Sequence, residues 1–321
     1  APKTNPNLFE DLADWHGLSS TIGDIRDRDA LKIGCKFADP GVVFHLAAQS
    51  LVRRGHADPQ TTFSTNVQGT ATLLEALDEC PELQAVVAVT SDKCYHNDGN
   101  GLPFVETDPL GGDDPYSASK AAQEIICQGW NRGRYQSRKR APRLGTARAG
   151  NVIGGGDWSK DRILPDFFRA LAKDETVTLR NPQATRPWQH VLEPLNGYLA
   201  YAERLVRDSE RSLPTALNFG PDAGESQTVA WLVEQASEQL RVANKTIPEW
   251  LTDTGINPPE VENLALDPSL AGKVLGWQPV LPQEVGVAWT VEWYTRVNDG
   301  EAAREVCLEQ IARYEDTLTA T

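Results

Sequence analysis

Residues 85–120 read AVVAVTSDKCYHNDGNGLPFVETDPLGGDDPYSASK, and this stretch decides the fold. It opens with an apolar run at 85–89, which is typical of a buried parallel strand. A Gly/Asn-rich loop follows, and residues 114–120 are expected to open a helix. Because ligands gather at the carboxyl ends of strands in open α/β sheets, the end of this strand is the first place to look for chemistry.

Reactive side chains stand at both ends of this unit. Ser91 follows the strand, while Tyr116 and Lys120 are four residues apart and share one helix face. A lysine ammonium one turn away would lower the pKa of a tyrosine from about 10, and Ser91 could hydrogen-bond the same substrate hydroxyl. This trio predicts removal of an alcohol proton while hydride leaves for a nicotinamide. The Tyr/Lys spacing alone also fits a solvated helix turn, but the hydroxyl-rich strand end favours catalysis.

The chain resembles the extended short-chain dehydrogenase/reductases that act on nucleotide sugars. The resemblance covers most of the chain and rests on HLAAQ (45–49), TSDKCY (90–95), DPLGG (108–112), YSASK (116–120), RAGNVIGGGDW (148–158) and RPWQHV (186–191). It implies an α/β fold with a Rossmann-like, doubly wound parallel sheet and a smaller, interleaved C-terminal substrate-binding lobe. Residues 1–155 would bind NAD, and residues 156–321 would mainly bind substrate, with 192–220 returning to the sheet.

Two groups beside Ser91 go beyond what a simple dehydrogenase or epimerase needs. A 4,6-dehydratase must expel water across C5 and C6 after oxidation at C4. A neutral Asp92 could protonate the departing 6-hydroxyl and a neutral Lys93 could take the C5 proton, if burial and proximity shift their pKa values. The alternative is an exposed ion pair at a strand end. The resemblance assigns the acid and base to these positions, and a lysine at 93 indicates CDP-glucose as the substrate.

Candidate site residues follow from these patterns and from the resemblance. The catalytic set is Ser91, Asp92, Lys93, Tyr116 and Lys120. The NAD set implied by the resemblance is Asp24, Ile25, Leu46, Ala47, Ala48, Gln49, Asn66, Thr90, Tyr116 and Lys120. For the nucleotide sugar, where an arginine fork suits a pyrophosphate, the set is Gln49, Asn151, Arg162, Arg186, Gln189 and His190. Asp24 is also a plausible helix N-cap, His45 is expected to be a structural residue, and Arg207 and Arg241 are expected to be solvated.

Composition excludes several classes of protein. The 321 residues carry 45 acidic and 31 basic side chains, a net charge of −14, which argues against binding nucleic acid. No apolar run approaches the roughly 20 residues that span a bilayer, and no signal peptide is visible. The five cysteines are scattered without CxxC spacing, which favours a reduced, cytoplasmic protein without a metal site.

The beginning of the chain departs from the dinucleotide-binding pattern, which opens with a strand, a glycine-rich turn and a helix. Residues 1–20 show no such pattern, and Gly154–Gly156 follow the wrong strand. We therefore expect an N-terminal segment of the fold to be missing. This leaves two alternatives open: another nucleotide-sugar epimerase or dehydratase, or a cofactor-free binding relative.

The remaining pattern predicts alternating strands and helices. Strand 144–151 is expected to bring Arg148 and Asn151 to the crevice. Helices 59–79 and 117–136 carry wide apolar stripes, and in the resembling family such helices pair across a homodimer as a four-helix bundle. The other predicted strands are 41–46, 176–179 and 216–219, and the other helices are 28–37, 163–172, 195–208, 227–240, 284–296 and 302–318.

Overall fold

A four-stranded parallel sheet lies at the centre of the fold in a computed structural model, which describes residues 4–12, 17–136, 141–222, 224–255 and 263–320. Its strands lie in the order β1 (Val42–His45), β2 (Ala85–Val89), β3 (Arg143–Ala149) and β8 (Ala216–Phe219). Ala85 of β2 is opposite Arg143 of β3, and Thr146 of β3 is opposite Ala216 of β8. All four carboxyl ends therefore meet at one edge.

Helices cover both faces of this sheet. Because successive side chains of a strand point to opposite faces, Val86 and Ala88 pack towards α5 (Gly69–Leu77) and α6 (Pro115–Trp130). Ala85 and Val87 pack towards α8 (Leu192–Arg207) and α10 (Ser269–Leu275) on the other face. The apolar run that predicted a buried parallel strand is thus buried on both sides.

A second core holds the other lobe together. It packs α7 (Ile163–Lys173), α9 (Val229–Val242) and α11 (Gln283–Asn298) around aromatic side chains such as Phe168 and Tyr294, whose rings stack with centroids 4.1 Å apart. The chain leaves the sheet after β3, returns to it with α8 and β8, and then leaves again. The boundary proposed at residue 155 stays a prediction.

The smaller elements join these layers. β4 pairs with β7 and β5 with β10 in parallel, whereas β6 pairs with β9 in antiparallel. No helix within the described ranges is long and apolar enough to cross a membrane. The elements are α1 (Leu8–Leu12), α2 (Arg28–Ala38), α3 (Val52–Ala57), α4 (Pro59–Phe63), β4 (Val152–Ile153), β5 (Val177–Leu179), β6 (Thr185–Arg186), β7 (Gln189–His190), β9 (Gln227–Thr228), β10 (Trp250–Thr252) and α12 (Ala303–Ala320).

The predicted elements are confirmed to within a few residues, with three local differences. Helix 59–79 contains a π-helical turn, Ser64–Gln68, between α4 and α5, and helix 117–136 ends in another, Asn131–Tyr135. Asp24 is not the N-cap of α2: the Asp27 side chain accepts a hydrogen bond from Ala30 N, whereas Asp24 binds the Arg26 guanidinium. The N-cap side chain must reach the second or third helical amide, and Asp24 lies too far before the helix.

A buried ion pair ties α6 to the two central strands. Arg148 Nη2 lies 2.7 Å from Glu124 Oε2, and both side chains are 1% exposed. The same carboxylate accepts hydrogen bonds from Thr90 Oγ1 at 2.5 Å and from Thr146 Oγ1 at 2.8 Å. The prediction that Arg148 reaches the crevice is therefore wrong, because Glu124 holds its guanidinium inside the protein.

Replacing Glu124 with glutamine should destabilise the protein by about 3 kcal/mol, because Arg148 would remain buried without a counter-charge. The matched control is Glu238→Gln. Glu238 pairs with Arg241 at 2.7 Å with both side chains more than half exposed, and its loss should change stability by about 1 kcal/mol or less. Urea unfolding measures both free energies. Equal losses in the two variants would contradict the structural role of the buried pair.

Candidate active site

A cavity of about 1000 Å³ opens at the carboxyl ends of β1, β2 and β3. Strand ends form one wall, the first turn of α6 forms another, and the second lobe closes the far side. This is the place where open α/β sheets bind ligands. Of the residues predicted from sequence, the cavity wall contains Leu46, Ala48, Thr90, Ser91, Asp92, Lys93, Tyr116, Lys120, Asn151, Arg162 and Arg186.

The start of α6 positions Tyr116. Asp114 caps the helix: its Oδ1 accepts hydrogen bonds from Tyr116 N at 2.8 Å and Ser117 N at 3.0 Å. Pro115 stands at the first helical position, where its missing N–H is no loss. A Cβ atom at Gly55 would lie 3.2 Å from Tyr116 Cβ, so glycine lets α3 approach the tyrosine. The phenol is thereby held close to Ser91, whose hydroxyl favours the ionised form and so lowers the pKa of Tyr116.

Burial dominates the acid–base properties of the Tyr/Lys pair. It raises the pKa of Tyr116 to about 12, although the hydrogen bond with Ser91 acts in the opposite direction. Burial also lowers the pKa of Lys120 to about 8. Lys120 Nζ donates to Val89 O at 3.2 Å and to Gln123 Oε1 at 3.1 Å. The prediction that Lys120 lowers the pKa of Tyr116 is wrong, because the ammonium is turned towards the strand end and desolvation outweighs its charge.

A single turn of 3₁₀ helix, Asp92–Cys94, holds the second pair of groups. Ser91 Oγ caps this turn by accepting from Lys93 N at 3.2 Å, and donates to Asp92 Oδ1 at 2.9 Å. Lys93 Nζ lies 3.4 Å from the same oxygen, with the Asp92 side chain 2% and the Lys93 side chain 20% exposed. The alternative of a solvated surface ion pair therefore does not apply.

The second oxygen of Asp92 is left without a hydrogen bond. Oδ2 is buried and has no partner within the described residues. A Cβ atom at position 150 would lie 2.8 Å from it, so Gly150 leaves room for the carboxylate. A buried carboxylate oxygen facing a ligand cavity can donate a proton to a bound group or accept one from it.

Four arginines supply positive charge to the cavity. Arg186 is 7% exposed and donates to Thr185 O at 2.8 Å, whereas Arg162 is half-buried and lies 3.4 Å from Asp157. The other two, Arg53 and Arg180, were not predicted; both contact Asp161, at 3.5 and 3.2 Å. They lie outside the quoted motifs, so no sequence pattern indicated their position. Arg207 and Arg241 are exposed, as predicted.

Several predicted contact residues do not line the cavity. Asn66 Oδ1 accepts from Gln49 N at 2.7 Å, and Gln189 Nε2 donates to Phe219 O at 2.8 Å. The His190 ring packs against Trp289 with centroids 5.7 Å apart. These side chains hold the loops of the site rather than face its interior. The residues outside the lining are Asp24, Ile25, Ala47, Gln49, Asn66, Gln189 and His190.

His45 lies outside the cavity lining, whereas Tyr198 belongs to it. His45 is structural, as predicted: Nε2 lies 2.9 Å from Thr70 Oγ1, and burial lowers its pKa to about 4. Tyr198 on α8 lines the cavity and was not predicted. Its only signal in the sequence is its place a few residues after the RPWQHV motif, on the apolar side of the following helix. No group of metal-binding side chains occurs within the ranges described by the structure.

Comparison with known proteins identifies the family. Residues 8–290 match the family described as GDP-mannose 4,6 dehydratase. The CDP-glucose 4,6-dehydratase of Salmonella typhimurium is 38% identical over 321 residues, covering 98% of this chain and 88% of the relative. The chain belongs to this family of nucleotide-sugar dehydratases.

Solved structures support the fold. The UDP-glucose 4-epimerase of Thermotoga maritima superposes with a TM-score of 0.72 at 21% identity, covering 86% of this chain and 84% of the other. The dTDP-glucose 4,6-dehydratase DesIV of Streptomyces venezuelae, solved with NAD bound, gives a TM-score of 0.71 at 23% identity, with coverage of 88% and 81%. At these identities the likeness concerns the fold, and it confirms the Rossmann-like architecture.

Replacing Lys120 with methionine should change how stability depends on pH. The pKa of Lys120 is about 8 in the folded protein and near 10.5 in the unfolded chain. Between these two pH values, Lys120 is protonated in the unfolded chain but mostly neutral in the folded protein. The stability of the wild-type protein therefore rises with pH over this range. The destabilising effect of the charge is fully present below pH 8 and vanishes above pH 10.5. The free-energy difference between Lys120→Met and wild type should fall by about 2–3 kcal/mol from pH 7 to pH 10.5. Urea unfolding across this range measures it, and a constant difference would contradict the lowered pKa.

Proposed function

We propose that this protein is an NAD-dependent CDP-glucose 4,6-dehydratase, which converts CDP-D-glucose to CDP-4-dehydro-6-deoxy-D-glucose and water. The observation that carries the proposal is that the Ser91–Asp92–Lys93 turn lines the same cavity as Tyr116 and Lys120. A dehydrogenase or epimerase needs the Tyr/Lys pair, whereas an added acid and base suit elimination. The relative from Salmonella typhimurium supports CDP-glucose as the substrate.

The residues at the strand ends fit a nicotinamide cofactor. Lys120 has three N–H donors, of which two bind Val89 O and Gln123 Oε1, so one is left for a ligand in the cavity it lines. Leu46 and Ala48 leave the backbone of the β1 end accessible. We assign NAD to these residues and Thr90, with Asp24 and Ile25 proposed for its adenine. Bound by these residues, NAD would supply a hydride acceptor for C4 and a hydride donor for C6, and its positive charge would favour the Tyr116 phenolate.

Tyr116 and Ser91 act in the first step. Tyr116 takes the proton of the 4-hydroxyl while Ser91 holds the same oxygen, so that a C4 ketone forms as the C4–H bond breaks. The raised pKa of Tyr116 makes its phenolate a strong base once formed. The Ser91 hydrogen bond fixes the direction of this proton transfer. The proton taken from the 4-hydroxyl then stays on the Tyr116 phenol, which is buried.

Asp92 and Lys93 act in the second step. The C4 ketone acidifies the C5 proton, which Lys93 removes, while Asp92 protonates the departing 6-hydroxyl so that water leaves and a C5–C6 double bond forms. The unpaired Oδ2 of Asp92 supports its role as the proton donor. Hydride at C6 and a proton at C5 then complete the 6-deoxy sugar, so the cofactor undergoes no net change.

The four arginines of the cavity lining suit the diphosphate of the nucleotide. Arg162 and Arg186 offer planar guanidinium groups, which bind phosphate oxygens in pairs. Arg53 and Arg180 add two more to the cavity lining. We assign the diphosphate to these arginines and Asn151 to the neighbouring part of the ligand.

The function is tested by incubating the purified protein with NAD and CDP-glucose. Mass spectrometry should show a product lighter by one water, and in deuterium oxide the product should carry deuterium at C5. Parallel assays with dTDP-, GDP- and UDP-glucose test which nucleotide base the protein prefers. If one of them is turned over faster than CDP-glucose, it becomes the proposed substrate. Interconversion of glucose and galactose without loss of water would instead indicate an epimerase. If none of the four nucleotide sugars is turned over, the result would indicate a binding protein.

In the same assay, Lys93→Ala separates dehydration from oxidation. We expect oxidation at C4 to remain while elimination stops, recorded as accumulating absorbance of reduced nicotinamide and a 4-keto nucleotide that keeps its 6-hydroxyl. Lys32→Ala is the matched control, because Lys32 lies on α2 and pairs with Glu79 away from the cavity. A Lys93→Ala protein that releases the 6-deoxy product at the wild-type rate would exclude Lys93 as the base.

We also propose a cytoplasmic homodimer formed by the helices α4–α5 and α6. Two large apolar side chains on their outer surface are exposed, Phe63 at 38% and Ile125 at 58%. These helices pack against each other, so two copies would form a four-helix bundle that covers both side chains. All five cysteines are free thiols, which supports a reducing compartment.

Replacing Ile125 with glutamate should dissociate this dimer, because a charge would be buried at the proposed interface. Light scattering should give a dimer mass for wild type and a monomer mass for Ile125→Glu. The control is Val242→Glu at the end of α9, where the side chain is 72% exposed, and it should remain a dimer. A monomeric wild type would refute the proposal.

A further inference from the structure

Tyr198 is a second tyrosine at the cavity, and it approaches from the face of the sheet opposite Tyr116. Tyr116 comes from α6, which packs with Val86 and Ala88, whereas Tyr198 comes from α8, which packs with Ala85 and Val87. Both side chains line the cavity. They are close enough that the charge of a Tyr116 phenolate raises the pKa of Tyr198.

The ring of Tyr198 is fixed by packing. It meets Phe219 of β8 edge-on, with centroids 5.5 Å apart and an interplanar angle of 85°, and the side chain is buried. Burial also raises the pKa of Tyr198, so the group is a protonated phenol at neutral pH. It is therefore a preorganised hydrogen-bond donor at the cavity wall.

The hydroxyl of Tyr198 has no hydrogen-bond partner among the residues that the structure describes, in contrast to four other buried tyrosines. Tyr95 binds Asn218, Tyr201 donates to Pro214 O, Tyr294 to Asp157 O and Tyr314 to Glu193. Buried phenols normally satisfy their hydroxyl group. For Tyr198, the partner has to come from the cavity.

We propose that Tyr198 is a substrate-binding residue whose hydroxyl donates a hydrogen bond to the hexose of the bound nucleotide sugar. The hexose is the part of the ligand that must lie beside Tyr116, Asp92 and Lys93, and Tyr198 lies near that end of the cavity. The proposal rests on the function proposed above. It adds a contact on the face of the sugar opposite the Tyr116 phenol.

The test compares Tyr198→Phe with Tyr201→Phe, two variants on the same helix that each lose one buried hydroxyl. Calorimetry with CDP-glucose, CDP and NAD measures binding, and urea unfolding measures stability. Tyr198→Phe should bind CDP-glucose about 3- to 10-fold more weakly, the range for one neutral hydrogen bond, with CDP and NAD binding and stability unchanged. Tyr201→Phe should bind all three ligands normally and lose stability, because Pro214 O loses its donor.

The outcomes separate this contact from the proposed function. If wild type binds and turns over CDP-glucose but Tyr198→Phe binds it equally well, the contact is refuted and the function stands. Equal weakening of CDP, or weakening of NAD, would move Tyr198 away from the hexose and also refute the contact. If wild type neither binds nor converts CDP-glucose, both proposals fail.

Discussion

The buried carboxylate of Glu124 fixes the relative position of the two halves of the site, which are the turn after β2 and helix α6. A charge without water is stable only when paired and hydrogen-bonded, so Glu124 fixes the position of every group that compensates it. It binds Thr90, the residue before Ser91, and lies one helical turn beyond Lys120. Arg148 continues the network to the Tyr95 hydroxyl at 2.7 Å. The distance between the strand-end turn and α6 is therefore set by a polar network rather than by apolar packing alone.

The cavity shows how an acidic protein can receive an anionic ligand. The net charge of −14 makes the surface as a whole repel a diphosphate. Inside the cavity, four arginine side chains place positive charge beside the aspartates of the lining, and low-dielectric walls strengthen their field at short range. Asp161 pairs with both Arg53 and Arg180, which holds the two guanidinium groups in place. A negative net charge is therefore a stronger argument against binding nucleic acid than against binding small anions.

Much of the fold could be predicted from the sequence because its signals are local. The apolar run at Ala85–Val89 and the start of α6 depend on neighbouring residues, and both agree with the structure. The choice of Asp24 over Asp27 as a cap failed because two acids three residues apart carry the same signal. The roles of Arg148 and Tyr198 depend on partners distant in the chain, and the pKa of Tyr116 depends on burial, which spacing does not reveal. The motif residues that support loops, such as Gln49 and Gln189, look the same in sequence as residues that bind ligands.

The return of the chain to the sheet has a consequence for how the protein is made. Strand β8 pairs with β3 in the sheet, yet the ribosome produces it only after α7 and the four short strands β4 to β7. Until then, the edge of β3 is unpaired and open to wrong partners, as is usual for sheets with long connections. Neither lobe can finish folding as an independent unit during synthesis. Translation speed through α7–α8 thus governs how long this nascent edge stays exposed to chaperones and to other newly made chains.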